Sequence, residues 1–248
     1  MIIIKIAIIS GASSGIGAEF SKLLDNYFLD EIWLIARNED NLKRISQSLN
    51  TKTRLLSLDL TKTEVYDSIS KLLAEIKPEI KYLICSAGVG YNGSFDDLNE
   101  DEINQMISLN CTSLTLLNKI ALKYMNKEAR IINVSSGAAF VPQPYFSVYS
   151  ASKAYVNSFS RSLGYELRKK GIYVTVVCPG PVSTPFFSSL KNVKEYKKKF
   201  LISPVKVATG ALNASKKKKK LYTPTASMKT VHLISKILPT SLILKFYK

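Results

Sequence analysis

Tyr149 and Lys153 stand four residues apart in "YSASK", with three small residues between them. On a helix the two side chains would project from one face. A phenol is a poor base, with an unperturbed pKa of about 10. An ammonium beside it favours the phenolate, so the pair could handle a proton near neutrality. The chain has one histidine, His232, far off near the C-terminus. A second stretch with chemical potential is "SGASSGIG" at 10–17, where Gly11, Gly15 and Gly17 follow an apolar run and precede a helical one. Such a turn lets the backbone approach a ligand and aims the helix's free N–H groups at a phosphate. Its G-x-x-x-G-x-G spacing differs from the commonest dinucleotide fingerprint, so the strand–turn–helix context carries the inference.

The elements that must position these residues are short, continuous apolar runs alternating with longer stretches of helical period. Strands are expected at 3–9, 32–36, 54–58, 80–84, 130–135 and 172–178, with a short seventh near 220–223. Continuous rather than alternating runs are what strands buried on both faces look like. Helices are expected near 15–28, 39–49, 63–76, 101–126, 147–170 and 204–215. Asn38 signals a start and Gly171 a stop. Strand alternating with helix implies right-handed crossovers and an α/β fold: a doubly wound, mainly parallel seven-stranded sheet flanked by helices. With no internal repeat and no linker, the 248 residues form a single domain.

"SGASSGIG", "CSAG" at 85–88, "LN" at 109–110, "NVSS" at 133–136, "YSASK" and "CPGPVST" at 178–184 occur in one order and spacing. In both respects residues 3–190 resemble the short-chain dehydrogenase/reductase family. The resemblance implies a Rossmann sheet binding NAD or NADP across the carboxyl ends of its strands. It implies Tyr149 as acid–base group, Lys153 as its tuner and holder of the nicotinamide ribose, and Ser136 as hydrogen-bond donor to the substrate oxygen. Ser135 competes for that last role. Asn110 matches the asparagine that holds a relay water behind the lysine. Bringing the phenol from about 10 to about 7 takes roughly 4 kcal/mol, which Lys153 and a positive nicotinamide ring would supply together. Carried over to the cofactor are Gly11, Ser13, Ser14, Gly15, Ile16, Gly17, Asp59, Leu60, Ser86, Ala87, Gly88, Pro179, Gly180, Val182 and Thr184.

Arg37 stands where an NAD-selective protein would carry an acid, and a guanidinium matches a 2′-phosphate in bidentate fashion. NADP(H) is therefore preferred, with NAD(H) also compatible; a solvated surface arginine is the plain alternative. Asp59 would lie at the adenine ring, or cap a helix. No metal is expected. Ser86 replaces an asparagine that ties central strands together in the family, which leaves the rigidity of that region open. After "PGPVST", residues near 181–203 would form a substrate lid that Phe186 and Phe187 line, unless they only pack the core. These residues point to an NADP(H)-dependent oxidoreductase acting on a ketone or aldehyde, with an apolar or acyl-like substrate. A non-catalytic NADP-binding sensor or scaffold is the rival, weakened because every catalytic position is filled.

The formal charge of +16 is concentrated. Residues 191–248 hold 15 lysines against Glu195 alone. No nucleic-acid module or aromatic interleaving accompanies "KKKKK" at 216–220, which argues against a nucleic-acid partner. Cys85, Cys111 and Cys178 show no metal or redox spacing and read as reduced thiols of a cytoplasmic protein. The opening "MIIIKIAII" carries Lys5 and leads into the glycine turn, so it reads as a buried strand rather than a signal peptide. Pairing through helices 101–126 and 147–170 would give a homodimer or homotetramer, as in the family. The apolar stretch 228–247 either packs on the domain or, with the basic segment 216–248, lies peripherally on the inner membrane surface.

Overall fold

Apolar runs too continuous for a one-sided sheet form the centre of the molecule. The computed structural model describes residues 3–191 and 200–245. Its seven strands are β1 (Lys5–Ser10), β2 (Glu31–Ala36), β3 (Thr53–Ser57), β4 (Glu79–Cys85), β5 (Arg130–Val134), β6 (Tyr173–Val177) and β7 (Leu221–Tyr222). They lie in the order β3-β2-β1-β4-β5-β6-β7. Every pairing is parallel, so the sheet is wholly rather than mainly parallel. The chain winds from β1 outward to β3 and then returns to β4 on the other side of β1. That reversal opens a crevice at the carboxyl ends of β1 and β4, where doubly wound folds take their ligands.

Alternate residues of each strand feed two cores. Ile6, Ile8, Trp33, Ile35, Leu83 and Ile131 face α3 (Glu64–Ile76), α5 (Ser113–Ala121) and α6 (Ser147–Glu166). Ala7, Ile9, Ile32, Leu34, Ile84 and Ile132 face α1 (Gly15–Leu24), α2 (Glu39–Gln47) and α8 (Pro204–Lys216). Among the described residues the remaining α-helices are α4 (Glu100–Ile107), the one-turn α7 (Pro185–Ser188), α9 (Ala226–Ile237) and α10 (Thr240–Lys245).

Three expected boundaries are corrected. The helix expected at 15–28 stops at Leu24, because the Asp25 carboxylate accepts from the amides of Asn50 and Thr51 and turns the chain away. The single helix expected over 101–126 is interrupted by a π-turn at Ser108–Thr112. The apolar tail is cut at Pro239 into α9 and α10, as a residue that cannot donate a helical hydrogen bond requires.

The lysine run is also placed differently from expectation. Lys216 lies over the ring of Tyr27, 4.2 Å from its centroid, and Lys218 pairs with Glu128 and the Tyr173 hydroxyl. Tyr27 and Glu128 precede β2 and β5, and Tyr173 begins β6. The run therefore begins at the amino-terminal rim of the sheet, away from the crevice, rather than beside the tail helices.

Candidate functional site

The turn after β1 is held by β2: the amides of Gly11 and Ala12 both donate to the Ile35 carbonyl. Gly11 and Gly15 have φ of 70° and 55°, the left-handed region that glycine adopts without strain. A Cβ on Gly17 would run into the Gly11 carbonyl oxygen. Ser14 precedes α1 in extended geometry, and no side chain caps the helix, so its first amides open toward the crevice. The Ser10 hydroxyl accepts from the amides of Ser86 and Ala87. It thereby ties β1 to the loop after β4.

The central tie that Ser86 leaves open is made one layer away. Buried Asn118 on α5 donates to Asn133 on β5, and Asn133 donates to Ser160 on α6. These three residues stitch helix, strand and helix behind the site, and their role is invisible from any local pattern.

Asn110 is buried within the π-turn. Its side-chain oxygen accepts from the Val89 amide, while its NH₂ donates to the Val89 carbonyl and the Ser152 hydroxyl. The two bonds to Val89 clamp the loop after β4, and the third ties the π-turn to α6. A Cβ on Gly88 would lie 3.1 Å from both the Asn110 oxygen and the Lys153 Nζ. Glycine there lets the loop, the asparagine and the lysine meet.

Tyr149 and Lys153 sit in the first two turns of α6, both buried, with the ammonium 5.6 Å from the phenol ring centroid. Lys153 Nζ donates to the Val134 carbonyl at the end of β5, 3.2 Å away. Burial pushes the ammonium down to about 8. It pushes the Tyr149 phenol up to about 12, with the Ser136 hydroxyl pulling the other way. Desolvation is the largest influence on the phenol; the expected shift toward neutrality calls for Lys153 and a bound nicotinamide ring together. The chain's own groups leave Tyr149 a proton donor.

Ser136 follows β5 at the crevice and its hydroxyl accepts from the Ala138 amide. Its rival Ser135 is buried and donates to the Lys153 carbonyl. Of the two, Ser136 is the one whose hydroxyl bears on the Tyr149 phenol.

Ser136, Tyr149 and Lys153 line one cleft of about 1240 Å³ across the carboxyl ends of the strands, with Gly17 and Asn110 set behind its lining. At one end lie the glycine turn, Arg37, Asp59 and Leu60; at the other, Ser136, Tyr149, Phe186 and Phe187. Ser13, Ser14, Ile16, Ser86, Ala87, Pro179, Gly180, Val182 and Thr184 line it between or beside them. Arg37 is exposed at the rim. Burial opposes the Asp59 charge, but bonds from the Thr61 amide and hydroxyl, with the Arg37 and Lys62 charges, hold its carboxyl below the usual range. Asp59 thus also closes a turn onto Thr61.

Phe186 packs on Tyr149 at 5.5 Å between centroids, and Phe146 stacks on it at 4.2 Å. Phe146 was missed from the sequence, although it lies three residues before Tyr149, a spacing that shares a helix face. Met228 was missed as well. Its sulfur lies 2.5 Å from where a Cβ on Gly137 would stand, so α9 closes one wall of the cleft. Part of the expected lid, residues 192–199, lies outside the described residues; its flanks are joined by a bridge between Val182 and Ile202.

The family model for short chain dehydrogenases matches residues 5–195. The chain is 34% identical over 194 residues to 17-beta-hydroxysteroid dehydrogenase type 3 of Mus musculus, covering 75% of this chain and 63% of that protein. It is 31% identical over 188 residues to the very-long-chain 3-oxoacyl-CoA reductase of Homo sapiens, covering 72% and 59%. The match thus spans less than two thirds of either relative's length. Among solved structures, a short-chain dehydrogenase from Sphingobium yanoikuyae in complex with NADPH superposes with a TM-score of 0.78 at 26% identity, over 90% of this chain and 88% of that one.

Proposed function

The chain belongs to the short chain dehydrogenase family, and on that premise we propose that it is an NADP(H)-dependent reductase of an apolar ketone or aldehyde. The observation that carries this reading is the convergence of Ser136, Tyr149 and Lys153 on one end of a cleft whose other end offers a glycine turn and Arg37. The cleft suits a dinucleotide. Left-handed glycines and uncapped amides of α1 can take a pyrophosphate. Arg37 at the rim can take a 2′-phosphate. The related Sphingobium yanoikuyae structure contains NADPH. Bound along this cleft, the nicotinamide would supply or accept the hydride.

The residues would divide the remaining work. Ser136 holds the substrate oxygen by a hydrogen bond. Tyr149, which keeps its proton at neutral pH, passes it to that oxygen as negative charge develops. Lys153, at about 8, is mostly cationic at pH 7 and would bind ribose hydroxyls. Its charge also favours the phenolate that remains. Asn110 is the positioning residue that fixes the loop beside Lys153. Phe146 and Phe186 flank the phenol and exclude water.

The substrate end supports an apolar compound: Val141, Phe187, Leu190, Phe200 and Val231 line it with Phe146 and Phe186. Relatives named for a hydroxysteroid and for very-long-chain 3-oxoacyl-CoA agree with that class. The expected assembly through α4–α5 and α6 remains part of the proposal. Purified protein with NADPH and carbonyl compounds of increasing apolar size should oxidise NADPH in a substrate-dependent way, fastest with the larger members. A sensor or scaffold would bind NADPH and oxidise none of it, and that result would end the reductase reading.

A further inference from the structure

α9 is used on two faces. Met228, Val231, His232 and Ser235 follow the i, i+3, i+4, i+7 spacing of one helix face and are partly buried. Met228 sits against Gly137 and Gly180, and the His232 ring lies 4.3 Å from that of Phe140. On the opposite side Leu233 and Ile237 are 59% and 70% exposed. Leu238 before Pro239 and Leu242 after it are exposed as well. Residues 226–245 contain Lys229, Lys236 and Lys245 and no acid. No described helix is long and apolar enough to cross a membrane.

We propose that the face formed by Leu233, Ile237, Leu238 and Leu242, with Lys229 and Lys236 beside it, docks on an anionic lipid surface. An apolar ridge beside cations is the design of a helix lying in the headgroup region, where lysine stems follow the apolar boundary and their ammoniums reach the phosphates. The charge selects this occupant over a second copy. A two-fold pairing of the same face would bring the lysines of both copies together with no carboxylate from these helices to offset them. Each lysine at an anionic surface is worth roughly fivefold in partition. The run at 216–220 is not part of the face: Lys216 and Lys218 are engaged at the opposite rim of the sheet. Because Met228 and Val231 on the same helix line the cleft, docking would bring the cleft wall beside the bilayer. Entry of an apolar carbonyl compound from the lipid side rests on the proposed reductase reading; the docking itself does not.

Flotation of the full chain with phosphatidylcholine vesicles, with and without phosphatidylserine, tests the docking without any turnover. The wild type should float with phosphatidylserine vesicles at low salt and much less at high salt. Leu233→Asn with Ile237→Asn should lower partition more than tenfold, and Lys229→Gln or Lys236→Gln roughly fivefold each. Lys217→Gln with Lys219→Gln and Lys220→Gln should leave binding intact. Unchanged melting and NADPH binding would show that the apolar variant is folded. The proposal is overturned if the wild type stays in the soluble fraction, or if only the 217–220 variant loses binding. It is equally overturned if the apolar variant changes the sedimenting mass and not flotation, which would assign the face to a second copy.

Discussion

Replacing Lys153 by methionine should make the protein more stable. The ammonium is buried, donates one hydrogen bond, to the Val134 carbonyl, and pairs with no carboxylate among the described residues. Burial lowers it from 10.5 to about 8, which at about 1.36 kcal/mol per unit is a cost of about 3 kcal/mol in its charged form. Methionine keeps most of the volume and abolishes the charge, while the lost hydrogen bond takes back about 1 kcal/mol. A net gain of about 2 kcal/mol at pH 7 would raise Tm by roughly 4–8 °C in a protein of this size. The sign with pH follows from linkage. The folded pKa lies below the unfolded one, so the penalty is fully present below about pH 8. It is relieved as pH rises toward 10.5, where the unfolded chain also releases its proton. Urea unfolding of both proteins at pH 7 and pH 10 is the assay. The variant's advantage should be largest at pH 7 and shrink markedly by pH 10. A variant that is less stable at pH 7, or an advantage equal at both values, would refute a desolvated charge at this position.

Arg37→Asp should lower the preference for NADPH over NADH by roughly tenfold to a hundredfold, the worth of a charge-assisted bond; an unchanged ratio of kcat/KM would show that another group reads the 2′-phosphate. His232 has a buried Nδ1 without a partner among the described residues, and burial, then the Lys236 and Arg161 charges, hold it below the ordinary histidine value. The folded protein should therefore lose stability as pH falls below about 6.5, and His232→Phe should flatten that loss in urea titrations between pH 7 and pH 5; equal slopes would assign the acid sensitivity elsewhere.

Most of the sheet could be read in advance because its strands are buried on both faces. Runs such as "IIKIAII" and "IWLIA" have no polar face to confuse the period, and the seventh strand near 220–223 was found within a residue of each end. The glycine turn, Tyr149, Lys153 and Ser136, which the structure brings to one cleft, could be singled out for a different reason. Their chemistry is encoded by residue type at short separations. What escaped depends on contacts across the chain. The π-turn at Ser108–Thr112 follows from Asn110 reaching Val89 and Ser152. The tie lost at Ser86 is made by Asn118, Asn133 and Ser160. Met228 meets Gly137 across ninety-one positions of sequence. The desolvation of the Tyr149 phenol escaped as well, because it is a property of the packed site and not of the lysine four residues away.

The most direct test of the account is steady-state turnover of Tyr149→Phe beside its binding of NADPH, measured by quenching of the single tryptophan or by nucleotide fluorescence. Removing only the phenolic hydroxyl should leave NADPH binding within a few-fold of the wild type and lower kcat by about 10²–10⁴-fold, the worth of a positioned proton donor. A variant that binds NADPH and reduces the same carbonyl compound at the wild-type rate would contradict the assignment of Tyr149 as that donor.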